Sequence, residues 1–511
     1  MHNTALEGST GMNETKQKKK NFYLRFSDWM DGALWRRALV LLALSAAVIT
    51  VFSVYTTPIS PYYGNDSAFF LLMGKGVTQG KIPYLDLYDQ KGPMIFYVNA
   101  LGYLLTGDRY GIFLMQIVNL TAACLIVYRL WLRSGASLAV VAAYLFVYVG
   151  TVQDGNMTEE WSQLFLLLPL YLSLRFLKSG ASVSEHPKWY SFVYGVCFGV
   201  LLMFRVTNAA PVGGLILAYI ILFCREKKVG QLFLHAAIVL FGTALVVVPF
   251  CLYFLRVGAF DLFIYASITH NFFYATGGAT ARDAVGWLSI IGSVLFVPCF
   301  FAAYRPLTRC GTLDGRTYTL IGCYAAVGAV TMAFGFTYRH YFLNLAPAVV
   351  VILAVGIDWV QRTAPENRRK ARCLLAAALL LCVVPFAPQV VRQCGKVVYF
   401  TCMHQLDKFP ARGAALSEAI SSDRDSVWGY DVLAQDYLYA DIIPCFRYFA
   451  IQRWMEDSDP QIAPEIDEML ATDPPIWVFI YQKDTEMAEK LLSLGYTAEP
   501  CSEYLIFHRA A

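Results

Sequence analysis

About eleven apolar stretches, each long enough or nearly long enough to cross a bilayer, occupy most of the chain between residues 37 and 387. They fall at roughly 37–57, 111–130, 136–151, 161–177, 190–208, 209–224, 231–255, 285–304, 317–336, 341–360 and 371–387. Inside hydrocarbon, backbone N–H and C=O groups must find partners within the segment, so runs of this kind fold as helices. Composition agrees: 57% of the 511 residues are hydrophobic and 15% are charged. Ordinary soluble domains carry about a quarter. Too little polar surface remains to cover a water-exposed exterior of this size. The expected fold class is an α-helical polytopic membrane protein with a small α/β domain at its C-terminal end.

The stretch 93–106 is a twelfth apolar run, but at about 14 residues it reads as an interfacial helix. Charge placement agrees. With residues 1–36 as a polar cytoplasmic segment, the inner loops hold Arg129 and Arg133, Lys178 and Lys188, and Arg225, Lys227 and Lys228. Arg305, Arg309 and Arg316 follow, then Arg362, Arg368, Arg369, Lys370 and Arg372. The outer loops 152–160 and 337–340 hold Arg339 alone. If 93–106 spanned the membrane, every later loop would invert and this bias would reverse. The polar leader with Lys16, Lys18, Lys19 and Lys20 reads as part of a retained signal anchor.

The transmembrane region is therefore expected at 37–387, with outer loop 58–110 carrying juxtamembrane helices. Beyond it, 388–511 is expected to be extracytoplasmic. There Ser426–Tyr430 and Ile476–Gln482 read as buried strands, 484–494 as a helix and Tyr504–His508 as a final strand. The formal charge of +4 is dispersed in short inter-helix segments, which argues against a nucleic-acid partner. Of the thirteen cysteines, Cys394, Cys402, Cys445 and Cys501 lie outside the apolar runs and match no zinc spacing.

Outer loop 58–110 is the most informative part of the chain. It contains Tyr63, Asn65 and Asp66, then Pro83 and Tyr84, then Asp89 and Lys91. An Asn65 or Asp66 before an amphipathic helix is more often a cap than a catalyst. The other outer segments shift that balance. Asp154 with Glu159 and Glu160 fills the second, and His270 lies in a later one. Arg339, His340 and Tyr341 sit at the edge of a late span, and Arg205 and Asn208 lie near the outer end of the fifth. An Arg within a span costs several kcal/mol unless it is paired or faces a polar cavity. Snorkelling accounts for Arg205 in the bland reading, and headgroup binding for Arg339. Carboxylates, a lysine, two arginines and a histidine on one membrane face suit an anionic, lipid-borne ligand better.

The pattern of Asp66, Pro83 to Asp86 (Pro-Tyr-x-Asp) and Asp89 to Pro93 (Asp-x-Lys-x-Pro) resembles the GT-C membrane glycosyltransferases. Within them it is most similar to the branch of protein O-mannosyltransferases and the lipid A aminoarabinose transferase. The resemblance covers most of 37–360 and is strongest at 60–106. It implies a GT-C-like fold and a polyprenyl-phosphate sugar donor used at the extracytoplasmic face. It matches Asp66 to the family's first-loop acid and Lys91 to its Lys-Pro-Pro lysine. Glu159 or Glu160 matches the second-loop acid, and Arg339 with Tyr341 matches a late Arg-x-Tyr. Gly92 departs from the family's first Pro, and the second-loop acid is Glu where relatives often have Asp.

Sugar transfer needs a base for the acceptor hydroxyl and fixed positive charge for the departing phosphate. Asp66 is the expected base. Lys91 and Arg339 are the expected phosphate ligands, with Arg205 a further candidate. Glu159 or Glu160 would orient the acceptor or, with Asp66, hold a divalent cation (Mg²⁺ or Mn²⁺); no His/Cys cluster requires one. Tyr63, Tyr84, Asp89, His270, His340 and Tyr341 complete the pocket candidates. The expected partners are the lipid donor, an extracytoplasmic glycan, lipid or protein acceptor, and membrane lipid. A competing class, a transporter or flippase of a lipid-linked glycan, would favour mid-span charges or broken, repeated helices, which the chain does not display.

Overall fold

The computed structural model describes residues 22–130, 137–271, 298–331, 338–383, 386–402, 408–456 and 459–509. After a short surface helix, α1 (Phe22–Asp31), the chain crosses as α2 (Leu34–Phe52). It then forms two short helices, α3 (Asp66–Thr78) and α4 (Met94–Thr106). The bundle continues with α5 (Tyr110–Arg129), α6 (Ser137–Thr151), α7 (Thr158–Lys178) and α8 (Lys188–Phe204). α9 (Ala210–Arg225), α10 (Val229–Arg256), α11 (Gly315–Thr331), α12 (Ala346–Arg362) and α13 (Arg368–Val383) complete it. Every expected span falls on a helix except 285–304, which lies largely outside the described residues. At 13 residues α4 is about 20 Å long, short of the roughly 30 Å of hydrocarbon.

Five stretches among the described residues are long and apolar enough to cross a membrane, including Leu34–Phe52, Val229–Arg256 and Arg339–Arg362. α10 shows what such a helix exposes: Phe233, Leu240, Phe241 and Leu252 all point outward, which only lipid tolerates. Its other face packs closely on α8. A Cβ on Gly195 would lie 2.1 Å from the carbonyl oxygen of Val239, so the crossing requires a residue without one.

Residues 387–402, assigned by composition to the soluble region, form α14, which rests on the bundle. Gln393 donates to the Val152 carbonyl (2.9 Å) and Lys396 pairs with Asp154 at the end of α6. α14 thus turns its polar stripe inward and leaves Val391 and Val398 exposed.

After α15 (Lys408–Ala419) comes a four-stranded sheet in the order β1 (Val427–Tyr430), β2 (Trp477–Tyr481), β4 (Tyr504–His508), β3 (Thr497–Cys501). β1 and β2 are parallel, and the other two pairs are antiparallel. β3 is a strand the sequence does not announce. It is an exposed edge containing Pro500, with no alternating apolar pattern to mark it. Helices α16 (Ala434–Ala440), α17 (Ile462–Thr472) and α18 (Thr485–Ser493) accompany the sheet.

This unit sits on the first-loop helices and shares their apolar core. Phe449 packs on Phe69 (5.1 Å between centroids), and the Tyr439 hydroxyl donates to the Pro61 carbonyl (2.6 Å). The Tyr88 N–H donates to the Arg447 carbonyl (3.0 Å).

Candidate active site

The polar residues singled out in the sequence come together where α3, α7 and α8 meet the first loop. Each arrives by a different local device. Asp66 occupies the first turn of α3. Asn65, at the cap position, makes no side-chain capping bond, so the helix end is held from elsewhere. The holder is Asn156, in a left-handed turn whose φ is +62° at Asp154 and at Asn156. The Asn156 amide donates to Ser67 Oγ (3.2 Å) and Asn99 Oδ1 (2.9 Å), and its Oδ1 accepts from Trp161 Nε1 (3.0 Å). One buried asparagine therefore ties α3, α4 and α7 together beside Asp66.

Lys91 is fixed through its backbone. Tyr84, at φ +70° in the tight 82–87 turn, buries its ring among Phe96, Phe254 and Phe263. Its hydroxyl donates to the Lys91 carbonyl (2.8 Å). The Lys91 N–H donates to Asp89 Oδ1 (3.2 Å), and Gly92 N–H donates to the Phe204 carbonyl (3.2 Å). Gly92 thereby explains its own departure from proline. Proline has no N–H to give, and a Cβ at this position would lie 2.1 Å from the Met203 carbonyl oxygen. The close approach sets Lys91 beside Arg205, the extended residue where α8 breaks.

Arg205 occupies the centre of the cluster. Nη1 lies 3.3 Å from Glu159 Oε1, and the guanidinium stacks over the Tyr341 ring at 3.9 Å from its centroid. Glu159 also accepts from the Thr158 hydroxyl (3.0 Å). Asp66, Glu159, Arg205 and Lys91 all act electrostatically on the buried His340 ring. Asp66, Asp89, Arg205 and Tyr341 act likewise on Lys91. Burial alone would push the Lys91 ammonium down, but Asp89 and Asp66 outweigh it and hold it above its ordinary value. Among the described residues, neither the Asp66 carboxylate nor the Lys91 ammonium has a hydrogen-bond or ion-pair partner.

Other expected residues lie elsewhere. Glu160, about 100° around α7 from Glu159, points away from the cluster. Its carboxylate accepts from Gln116 Nε2 (2.9 and 3.0 Å), the Tyr148 hydroxyl and the Asn156 N–H (2.7 Å). These donors saturate it, so of the two acids it is Glu159 that faces the cluster. The Arg339 guanidinium donates to Gln389 on α14. Tyr63 is closed into the seam with the C-terminal unit, edge-on to Tyr439 at 4.7 Å and under Arg109 at 4.6 Å. Tyr84 acts on Lys91 from behind, as a support and not as a lining group. His270 is buried between Tyr88 and Tyr265, near enough to Lys91 to interact with its charge.

Among the described residues no three His, Cys, Asp or Glu side chains gather as a metal-ligand set. Glu159, the expected co-ligand of Asp66, is engaged by Arg205. The pair as placed does not fit a divalent-cation site.

Neither a protein-family model nor a curated protein matches the sequence. The fold does match solved structures. ArnT from Cupriavidus metallidurans bound to undecaprenyl phosphate is similar over 93% of this chain and 98% of that one, with a TM-score of 0.61 at 14% identity. The apo form of the same protein is similar over 92% and 97%, with a TM-score of 0.55 at 15% identity. The likeness runs through nearly the whole of both chains. The chain has the polytopic GT-C-like membrane fold of ArnT, with a small C-terminal sheet.

Proposed function

We propose that this protein is a membrane glycosyltransferase that moves a sugar from a polyprenyl-phosphate donor to an acceptor on the extracytoplasmic face. The observation that carries the reading is a carboxylate and an ammonium, Asp66 and Lys91, both without hydrogen-bond or ion-pair partners among the described residues, meeting in one cluster with Arg205. The fold in which they meet is shared with an ArnT structure that holds undecaprenyl phosphate.

The chemistry follows from the placement. The acceptor hydroxyl attacks the anomeric carbon while Asp66 takes its proton. The bond from that carbon to the phosphate oxygen breaks, and its electron pair goes to the phosphate. Lys91 and Arg205 face the developing charge and need little reorganisation to meet it. A single displacement of this kind inverts the anomeric centre. Glu159 fixes Arg205 through their ion pair, and Tyr341 supports the guanidinium from below. The geometry favours Arg205 over Arg339 as the second phosphate ligand. No step is routed through a metal ion. The excess of Lys and Arg in the opposite loops supports an extracytoplasmic location for this end of the bundle and for the C-terminal unit.

The test is release of free polyprenyl phosphate from a panel of polyprenyl-phosphate sugars by purified wild type and Asp66→Asn. Release by wild type, falling at least about 10³-fold in the variant while undecaprenyl-phosphate binding persists, is the expected result. Full activity in Asp66→Asn removes Asp66 from the mechanism. A wild type that neither releases nor binds polyprenyl phosphate sinks the whole reading.

A further inference from the structure

One titratable group in the cluster has no part in the steps above. His340 is 4% exposed, with its ring stacked on Tyr338 (5.7 Å, 15°) and edge-on to Tyr341 (4.5 Å, 83°). Its Nδ1 is buried and has no hydrogen-bond partner among the described residues. A buried nitrogen left unpaired is costly, and such atoms in native proteins call for an explanation.

Charge balance supplies one. Four charged groups from four separate elements act on the ring: Glu159 on α7, Asp66 on α3, Arg205 at the end of α8 and Lys91 in the first loop. Two are negative and two positive. The neighbouring Arg339 is turned to Gln389, and Asp89, which acts on Lys91, adds no positive charge in either protonation state. The cluster therefore has no surplus positive charge. A phosphodiester entering it brings one net negative charge into a largely buried site, where an uncompensated charge is strongly disfavoured. Imidazole, with an ordinary pKa of about 6.5, is the group here that can supply the missing positive charge near neutral pH. Protonation also turns both ring nitrogens into donors, and the vacant Nδ1 then needs an anionic acceptor.

We propose that His340 is a proton-linked phosphate ligand, taking up one proton from solvent as the lipid phosphate binds and donating a hydrogen bond from Nδ1 to a phosphate oxygen. The inference rests on the donor class proposed above and deepens it. Anion affinity becomes coupled to pH through a residue that does not touch the anomeric carbon.

The experiment uses the full-length protein in zwitterionic nanodiscs and undecaprenyl methyl phosphate, a diester whose single charge is constant across the neutral range. Wild type should take up close to one proton per diester bound, read by calorimetry in two buffers of different ionisation enthalpy. Its affinity should fall by up to about tenfold per pH unit on the alkaline side. His340→Gln, which keeps a neutral donor, should bind more weakly with no proton uptake and a flat pH profile. His340→Phe should be weaker again by about tenfold, as a lost charge-assisted bond predicts. Binding by wild type without proton uptake overturns the inference and leaves the donor reading standing, whatever the variants do. An unchanged pH slope in His340→Gln overturns it too. Failure of wild type to bind the diester overturns both. Inorganic phosphate and phosphatidylglycerol are the competing anions. Displacement of the diester by either at matched concentration replaces the tethered-donor site with a general anion site.

Discussion

Two buried polar clusters lie along α7, about 21 Å apart by the helical rise from Glu159 to Ser173. At the far end, Ser191 Oγ lies 2.8 Å from His235 Nδ1 and 3.4 Å from His186 Nδ1. His186 Nε2 lies 3.3 Å from the Tyr194 hydroxyl, which accepts from Ser173 Oγ (2.8 Å). Both nitrogens of His186 are partnered, and burial pushes the ring down to about 3, so it stays neutral. This cluster carries no net charge and binds α7, α8 and α10 to one another. At the near end the balance is reversed: among the described residues, Asp66, Lys91 and His340 Nδ1 have no hydrogen-bond or ion-pair partner. A polar cluster that satisfies itself holds helices together, whereas one with unmet valence is organised for something that arrives later.

The comparison breaks most visibly at Lys91. Lys91→Met removes a cation that, among the described residues, has no hydrogen-bond or ion-pair partner. Turnover should fall by roughly 10²–10³-fold, the scale of losing one preorganised electrostatic group. The thermal midpoint should fall far less than activity, since only the attraction of the ammonium to Asp89 and Asp66 is lost. A midpoint that drops in step with activity would make the near end structural as well.

Gly92→Ala tests the same end through geometry alone. The new Cβ meets the Met203 carbonyl oxygen at 2.1 Å, so the first loop must shift from the end of α8 and carry Lys91 away from Arg205. A displacement of about 1 Å can cost about 10²-fold in rate. Steady-state rates at saturating donor should show that loss, and an alanine variant as fast as wild type would separate Gly92 from the site.

Ser191→Ala at the far end should do the opposite. It leaves the Nδ1 atoms of His186 and His235 without their shared hydroxyl, at a cost of about 1–3 kcal/mol. The midpoint should fall while turnover, measured well below it, stays within about twofold. Lost turnover with unchanged stability would mean that the far cluster also takes part in function.

How much of this was legible in the sequence follows from the kind of signal each residue gives. Spans are written in long apolar runs, and the helices from α2 to α13 follow them. Asp66 and Lys91 stand out because charge is rare beside such runs. The choice between Glu159 and Glu160 was not legible, because adjacent helical residues point about 100° apart and the sequence does not say which face turns inward. A signal for Glu160 did exist. Gln116 and Tyr148 are polar residues inside apolar spans, and both donate to it. Arg205 ranked below Arg339 because a span-end arginine reads as snorkelling, and only the fold brings Glu159 and Tyr341 to it. The interior stripe of α14 was hidden for a related reason: Gln389 and Gln393 are buried against the bundle while Val391 and Val398 are exposed, so hydropathy does not mark the inward face.

The smallest expected effect concerns Asp89, which separates a group that supports the site from one that belongs to it. Burial pushes its carboxyl above the ordinary value, against the pull of Lys91. The folded chain therefore holds that proton more tightly than the unfolded chain does. Stability falls as pH rises from the unfolded value, near 3.9, through the folded one, and the loss is complete above it. Asn at this position is neutral throughout, and its Oδ1 can still accept from the Lys91 N–H. Asp89→Asn should then melt above wild type at pH 7, with the gap closing as the pH is lowered toward 4. A wild type that melts higher than the variant at pH 7 would show that the ionised Asp89–Lys91 pair is a net stabiliser. The lysine's charge would then already be spoken for within the protein, which removes the contrast between the two ends at its central residue.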